Sequence, residues 1–204
     1  MTAKPVGLIL AGGLSRRMGG GDKTLRPLGG ATVLARIQHR IGPQVDALLL
    51  NANGPAARFG LDLPLVPDGL PDTPGPLAGI LAGLDHVAAH MPQARHLLTV
   101  PADCPFLPVD LVAQLAAAAG ENGMACAASG GRAHGVIGLW NIAARGALRQ
   151  LLVAEGLRRV DAWLARAEAV AVDWPVVPYD PFINLNTPED FAAAEQILQA
   201  YPAA

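Results

Sequence analysis

The sequence is poor in aromatic residues, in cysteine and in net charge. Only 4% of its 204 residues are aromatic although 51% are hydrophobic, so the core must be built mainly from Ala, Leu, Val and Ile. So few aromatic residues do not suit a surface that stacks the bases of single-stranded nucleic acid. The formal net charge is −2, so there is no basic excess to release counterions from a long polyanion. We therefore expect no nucleic-acid partner.

The two cysteines, Cys104 and Cys126, are too few for a disulfide framework. No Cys/His pair at zinc-ligand spacing lies near them, which argues against a zinc site. The apolar run at 6–10 is too short for the core of a signal peptide and far too short to span a bilayer. We therefore expect a cytoplasmic protein with no membrane partner.

Short apolar runs alternate with helical patterns along the whole chain. Strands are predicted at 6–10, 47–53, 63–66, 96–100, 124–128, 134–140 and 169–172. Helices are predicted from a Thr32 cap to Ile41, at 76–91, 109–119, 143–155 and 160–166, and from the capping sequence at 187–190 onward. This alternation predicts one three-layer α/β domain over 1–204 with a mostly parallel central sheet.

Polar residues follow the first four predicted strands at their carboxyl ends. The Gly-rich loop at 11–23 follows the first strand, Asn51 lies at the end of the second, Asp68 follows the third and Asp103 follows the fourth. Ligands of open α/β sheets bind at this edge. The sequence therefore predicts a single site there.

The first loop reads LAGGLSRRMGGGDK and combines glycines with the cations Arg16, Arg17 and Lys23. Glycines let backbone N–H groups turn toward an anion, so the loop is a candidate phosphate cradle. It is neither a Walker A loop, because Arg16 stands where that motif needs glycine, nor a GxGxxG fingerprint. The alternative is a flexible surface loop with solvated cations.

Asp103, Asn51 and Asp68 are the other candidates at this edge. Asp103 can hold Mg²⁺, which favours one or two carboxylates with phosphate oxygens and water. Asn51 and Asp68 can recognise a base or ribose. A carboxylate or amide oxygen accepts from guanine N1–H and its exocyclic amine, and the amine of cytosine also offers a donor. The alternatives are local capping by Asp103 or Asn51 and a turn at Asp68.

The second half of the chain contributes a looser polar set. His134 is a single histidine, and single histidines are more often structural than catalytic. Asn184 and Asn186 are two residues apart, so they share a face if the segment is extended. They can contact a polar ligand or satisfy backbone groups before the last helix.

The loop LAGGLSRRMGGGDK resembles the signature loop of the small NTP-transferase family, and it is most similar to molybdenum cofactor guanylyltransferases. Further matches cover nearly the whole chain, at LLLNAN, PDGLPDTPGPLAGI, PADCPFLP, RAHGVIGLW, GLRRV and INLNTPEDF. The loop alone specifies only the superfamily, whereas PGPLAG, PADCPF and NLNTPED together are more specific. Two positions depart from the family pattern, Thr24 where glycine is frequent and Gly135 where proline is frequent.

The resemblance implies a Rossmann-like nucleotidyltransferase that joins GMP from GTP to molybdopterin or its molybdenum form and releases pyrophosphate. It implies a nucleotide-binding half at about 1–108 and a pterin-acceptor half at about 109–204, with molybdoenzymes and their chaperones as further partners. It assigns the nucleotide to Leu10, Ala11, Gly12, Gly13, Lys23, Asn51, Asp68 and Asp103. It assigns Mg²⁺ to Asp103, catalysis to Lys23, Arg17 and Asp103, and the pterin to His134, Asn184 and Asn186.

The mechanism that the resemblance implies needs no general base, because the pterin phosphate is already ionised near neutral pH.

Three alternative functions stay open. A cytidylyltransferase that uses CTP usually has LAAG in the first loop, where this chain has LAGG. A sugar-phosphate nucleotidyltransferase does not fit PGPLAG and NLNTPED. A non-catalytic nucleotide-binding protein of the same fold would be expected to lack Asp103 or Lys23, and both are present.

Overall fold

A computed structural model of the chain describes residues 4–11, 23–70, 75–120 and 123–202. The strands are β1 (Val6–Leu10), β2 (Pro27–Leu28), β3 (Ala31–Thr32), β4 (Ala47–Asn51), β5 (Leu65–Val66), β6 (His96–Pro101), β7 (Ala125–Ser129), β8 (Arg132–Asn141) and β9 (Val170–Trp174). The α-helices are α1 (Val33–Ile41), α2 (Pro76–His90), α3 (Leu111–Ala119), α4 (Arg145–Val153), α5 (Val160–Arg166) and α6 (Pro188–Ala200). Short 3₁₀ helices span Lys23–Leu25, Gly42–Gln44, Ala56–Phe59 and Ile142–Ala144.

Seven strands form the central sheet in the order β5-β4-β1-β6-β8-β7-β9. Neighbours β5, β4, β1 and β6 are parallel, as are β7 and β9. Strand β8 is antiparallel to both of its neighbours. The predicted α/β class with a mostly parallel sheet is confirmed, with one reversed strand in the described part of the sheet.

Two hydrophobic clusters cover the two faces of the sheet. One cluster packs α1, α3 and α6 against one face, and the other packs α2, α4 and α5 against the opposite face. Successive residues of β1 alternate between them: Ile9 lies in the first cluster and Leu8 in the second, and neither is exposed. A strand buried on both faces reads as a continuous apolar run, which is why VGLIL predicted it.

The helix starts that were predicted from capping residues are present. The Thr32 hydroxyl accepts a hydrogen bond from the Ala35 amide at 3.1 Å, at the start of α1. Thr187 and Asp190 form a reciprocal capping box at the start of α6. These side chains satisfy amides that have no partner within the helix.

The hairpin of β2 and β3 was not predicted from the sequence. Its two-residue turn is Gly29-Gly30, and both glycines have positive φ, 54° and 83°. Such angles suit the tight turns of two-residue hairpins, which other residues enter only with strain. The Gly-rich composition of this stretch had indicated only a loop.

The order of the strands creates a crevice at the carboxyl end of β1. The chain adds β4 on one side of β1 and β6 on the other. The helices that make the two crossovers, α1 and α2, lie on opposite faces of the sheet. Such a switch point leaves room for a ligand beyond the strand ends. None of the helices in the described ranges is long and apolar enough to cross a membrane.

Candidate active site

A cavity of about 360 Å³ opens at the carboxyl ends of β1, β4 and β6. Its volume lies in the range of sites for small molecules. Its walls include these predicted residues: Leu10, Ala11, Lys23, Asn51, Asp68, Asp103 and Asn184. Residues scattered from position 10 to position 184 therefore meet at one edge of the sheet, as the strand-end pattern predicted.

Lys23 joins Asp103 in the cavity wall to Asn186, which is not among the lining residues. Its Nζ lies 2.6 Å from Asp103 Oδ2 and 2.7 Å from Asn186 Oδ1. The loop that carries Asp103 is anchored to β1, because the Ala102 amide donates to the Leu10 carbonyl at 3.1 Å. The site therefore holds a cation and a carboxylate side by side at the mouth of β1.

Asn51 and Asp68 form a network at the opposite end of the cavity. Asn51 Nδ2 donates to Asp68 Oδ1 and to the Val66 carbonyl, both at 3.0 Å. Asn53 Nδ2 donates to Asp68 Oδ2 at 3.0 Å, and Asn53 Oδ1 accepts from the Asp68 amide at 3.1 Å. Both carboxylate oxygens of Asp68 are thus held by amide donors.

Helix α2 approaches Asn51 closely through a glycine. A Cβ atom added at Gly79 would stand 2.4 Å from Asn51 Oδ1 and 2.9 Å from a methyl carbon of Leu10. Real Cβ atoms essentially never come so near. The glycine in the PGPLAG sequence is therefore the residue that lets α2 pack against this end of the cavity.

Cys104 fixes the orientation of Asn184. Its buried Sγ donates to Asn184 Oδ1 at 2.7 Å. Burial raises the pKa of the Cys104 thiol well above its ordinary value, and the negative charge of Asp103 raises it further, so the thiol stays protonated and can donate. Asn184 lies in the cavity wall, so the thiol orients an amide side chain of the site.

His134 belongs to a separate polar cluster with Ser129 and Asp180. Ser129 Oγ lies 2.7 Å from His134 Nε2 and 3.0 Å from both Asp180 oxygens. A hydroxyl has a single hydrogen, so when Ser129 donates to Asp180 it accepts from His134 Nε2–H. Burial lowers the pKa of His134, although the Asp180 carboxylate acts in the opposite direction.

The cluster adjoins the cavity through β8 and the chain at 180–186. Val136, two residues after His134 in β8, lines the cavity, whereas His134 is not among its lining residues. The His134 ring packs against Phe182 at 4.9 Å, and Phe182 precedes Asn184 and Asn186. His134 was predicted at the first position of a strand over 134–140, and it lies two residues inside β8, which begins at Arg132. The contact with Phe182 therefore links the cluster of His134 to the segment that carries the two asparagines.

Four predicted residues of the first loop lie outside the described residues: Gly12, Gly13, Arg16 and Arg17. Asn53, Ser129 and Asp180 were not predicted from the sequence. Asn53 had a usable signal, because it stands two residues after Asn51 and can share its face in an extended chain. Ser129 and Asp180 had none, since their pairing joins residues 51 positions apart.

The donor set suits a divalent cation that binds together with a phosphate ligand. Among the described residues, no group of three or more His, Cys, Asp or Glu side chains could hold a metal ion. Asp103 supplies one carboxylate at the cavity wall. Mg²⁺ is commonly held by one or two carboxylates with substrate phosphates and waters, so Asp103 fits such an ion.

Comparison with known proteins identifies the family. The model of the MobA-like NTP transferase domain matches residues 7–170. A molybdenum cofactor guanylyltransferase of Bradyrhizobium sp. (strain ORS 278) is 56% identical over 199 residues, which cover 96% of this chain and 93% of the relative. One of Rhodopseudomonas palustris (strain BisB5) is 53% identical over 193 residues, which cover 93% of this chain and 92% of the relative.

Solved structures share the fold at lower identity. Molybdopterin-guanine dinucleotide biosynthesis protein A from Archaeoglobus fulgidus superposes with a TM-score of 0.72 at 21% identity, covering 96% of this chain and 99% of that one. A manganese complex of Rv0371C from Mycobacterium tuberculosis H37Rv superposes with a TM-score of 0.69 at 17% identity, covering 95% of this chain and 99% of that one. At these identities the likeness shows the fold alone.

Proposed function

The chain belongs to the MobA-like NTP transferase family and is a nucleotidyltransferase of molybdenum cofactor biosynthesis, and on this premise we propose that it transfers GMP from GTP to molybdopterin or its molybdenum form. The products are the guanine dinucleotide form of the cofactor and pyrophosphate. The observation that carries the proposal is a cavity at the carboxyl ends of β1, β4 and β6 whose wall includes Asp68, Lys23, Asp103 and Asn184.

The base is assigned to the Asp68 end of the cavity. Guanine presents two adjacent donors, N1–H and the exocyclic amine, on one edge. A carboxylate only accepts hydrogen bonds, so Asp68 complements this edge. Adenine and cytosine each place a ring acceptor beside the amine and would face the carboxylate with a lone pair.

The triphosphate is assigned to Lys23, Asp103 and the loop that contains Gly12, Gly13 and Arg17. Lys23 supplies a positive charge for the phosphate oxygens. A divalent cation is assigned to Asp103, and we propose Mg²⁺ as that ion. When bound, such an ion neutralises charge on the phosphates and orients them. Lys23 and Asp103 form an ion pair at this point of the site.

The acceptor is assigned to the side of Asn184 and Asn186, with His134 behind them. A phosphate monoester loses its second proton near pH 6, so the molybdopterin phosphate is ionised at neutral pH. One of its oxygens attacks the α-phosphorus of GTP, a new P–O bond forms, and the bond to the β-phosphate oxygen breaks to release pyrophosphate. Catalysis then rests on alignment and on neutralising charge.

The nucleotide is tested by thermal unfolding with GTP, CTP, ATP or UTP, each with Mg²⁺. A ligand that binds only the folded chain raises the unfolding temperature. We expect GTP to give the largest rise. A larger rise with CTP would overturn the base assignment. Transfer is tested by pyrophosphate release, which we expect only when molybdopterin is added to GTP.

A further inference from the structure

Asn51 has no donor left for a nucleotide. A side-chain amide carries two N–H donors, and those of Asn51 go to Asp68 Oδ1 and the Val66 carbonyl. Asn51 is buried, with 2% of its surface exposed, and its oxygen faces the close approach of Gly79. The two donors of Asn51 therefore hold Asp68 and the Val66 carbonyl from inside the protein.

Asn53 holds Asp68 from the opposite side. It donates from Nδ2 to Asp68 Oδ2 and accepts at Oδ1 from the Asp68 amide, at 3.0 and 3.1 Å. This reciprocal pair fixes both the backbone and the plane of the carboxylate. A single hydrogen bond to either oxygen would leave the carboxylate free to rotate about its Cβ–Cγ bond.

The two asparagines occupy one acceptor position on each oxygen of Asp68. A carboxylate offers about four acceptor positions over its two oxygens. Asn51 uses a position on Oδ1 and Asn53 uses one on Oδ2. The positions that remain lie on both oxygens, so Asp68 can accept from two neighbouring donors at once.

We propose that Asn53 is a specificity-determining positioning residue, which locks the Asp68 carboxylate in the orientation that accepts both adjacent donors of guanine. This rests on the proposed function, in which Asp68 faces the base. Asn51 and Asn53 together form a clamp on the Asp68 carboxylate, in which Asn53 contacts Asp68 and not the base. Loss of the Asn53 hydrogen bonds lets the carboxylate rotate. The rotation weakens a paired contact with both guanine donors more than a contact with one donor.

The test compares GTP with inosine triphosphate, which has N1–H but lacks the exocyclic amine. Binding of each is measured by calorimetry with Mg²⁺ and without molybdopterin, for the unchanged chain and for Asn53→Ala. The matched control is Gln93→Ala, an exposed amide before β6 at the opposite edge of the sheet. We expect Asn53→Ala to lower the preference for GTP over inosine triphosphate about tenfold, the loss expected for one charge-assisted hydrogen bond.

The outcomes separate this inference from the proposed function. An unchanged preference in Asn53→Ala, or an equal loss of both nucleotides, would overturn the role of Asn53 while leaving guanylyl transfer standing. If Asn53→Ala lowers the preference while the unchanged chain releases no pyrophosphate from GTP and molybdopterin, that result would support the role of Asn53 and contradict the transfer. Asn53→Asp places a like charge beside Asp68 and should lower the preference further.

Discussion

Lys23 Nζ lies 2.6 Å from Asp103 Oδ2, although the two residues are 80 positions apart in the chain. Both side chains are largely shielded, at 20% and 17% exposure, so their charges attract more strongly than in open water. A nucleotide that enters with a cation offers each a new partner, phosphate for Lys23 and the cation for Asp103. We expect the ion pair to open when the two bind.

Replacing Asp103 with asparagine removes the carboxylate and keeps the side chain's size. We expect turnover to fall at least about a hundredfold, because the assigned cation loses its protein ligand and charge at the phosphates is less well neutralised. Pyrophosphate release with GTP, Mg²⁺ and molybdopterin measures this. Asp110→Asn is the control, because that carboxylate is exposed and accepts a hydrogen bond from Gln114 Nε2. Near-normal turnover of Asp103→Asn would rule out the cation assignment.

Replacing Lys23 with methionine keeps the apolar stem and removes the charge. We expect GTP affinity to fall about 10- to 100-fold, as for the loss of a charged hydrogen bond. Calorimetry with GTP and Mg²⁺ measures it. Lys4→Met is the control, because Lys4 is exposed and donates to the Pro43 carbonyl. Equal GTP affinity in both variants would show that Lys23 does not bind the triphosphate.

Replacing Asp68 with asparagine turns one acceptor into a donor. The new amide meets the donors of Asn51 and Asn53, so one bond of the clamp is lost. Its N–H groups also suit a carbonyl, which xanthine carries where guanine has its amine. We expect GTP affinity to fall at least about tenfold and xanthosine triphosphate to gain relative to GTP. Unchanged selectivity between the two nucleotides would show that Asp68 does not face the base.

Replacing Gly79 with alanine forces a methyl group against Asn51 and Leu10. We expect the variant to lose about 1–3 kcal/mol of unfolding free energy and to bind GTP more weakly. Gly146→Ala is the control, because nothing lies within 4 Å of the added Cβ in α4 and alanine favours a helix. Denaturant unfolding compares the two. A Gly79→Ala chain as stable as Gly146→Ala would contradict the close packing of α2.

Acid should destabilise the fold through the half-buried His96. Burial lowers the pKa of His96, and Arg95 lowers it further, whereas a backbone hydrogen bond with Gly123 raises it; His96 Nε2 has no hydrogen-bond partner among the described residues. The unfolded chain therefore takes up this proton first as the pH falls below about 6.5, and the free energy of unfolding decreases. We expect His96→Gln to lose less stability than the unchanged chain between pH 7.5 and pH 5.5 in denaturant titrations. An equal loss would assign the acid sensitivity to other groups.

The sequence predicted the centre of the sheet well because β1 and β6 are apolar runs buried on both faces. It also predicted the edge at which Leu10, Asn51, Asp68 and Asp103 meet, since parallel strands bring their carboxyl ends together. Strand β5 is shorter than expected, beginning at Leu65 rather than at residue 63. The boundaries of β5 depend on pairing with β4, which the local pattern does not contain.

The hydrogen-bond partners inside the site could not be predicted in the same way. Nothing local to Cys104 indicates that its thiol orients Asn184, 80 positions away. Asn51 was assigned to the nucleotide, yet its donors are used within the protein. Pairings of this kind are set by how loops pack after the sheet has formed, so residue type and spacing identify the candidates but not their partners.

The hydrogen bond between Lys23 and Asn186 joins residues 163 positions apart in the chain. This sequence separation affects the order in which parts of the chain fold. Contacts between remote segments close large loops and tend to form after local ones. The ladder of β4, β1 and β6 uses residues up to Pro101, whereas Lys23 gains its second partner only when the segment before α6 docks. On refolding, the chain should therefore recover its secondary structure before it recovers an active site. Detachment of the segment before α6 should abolish activity while the sheet stays folded.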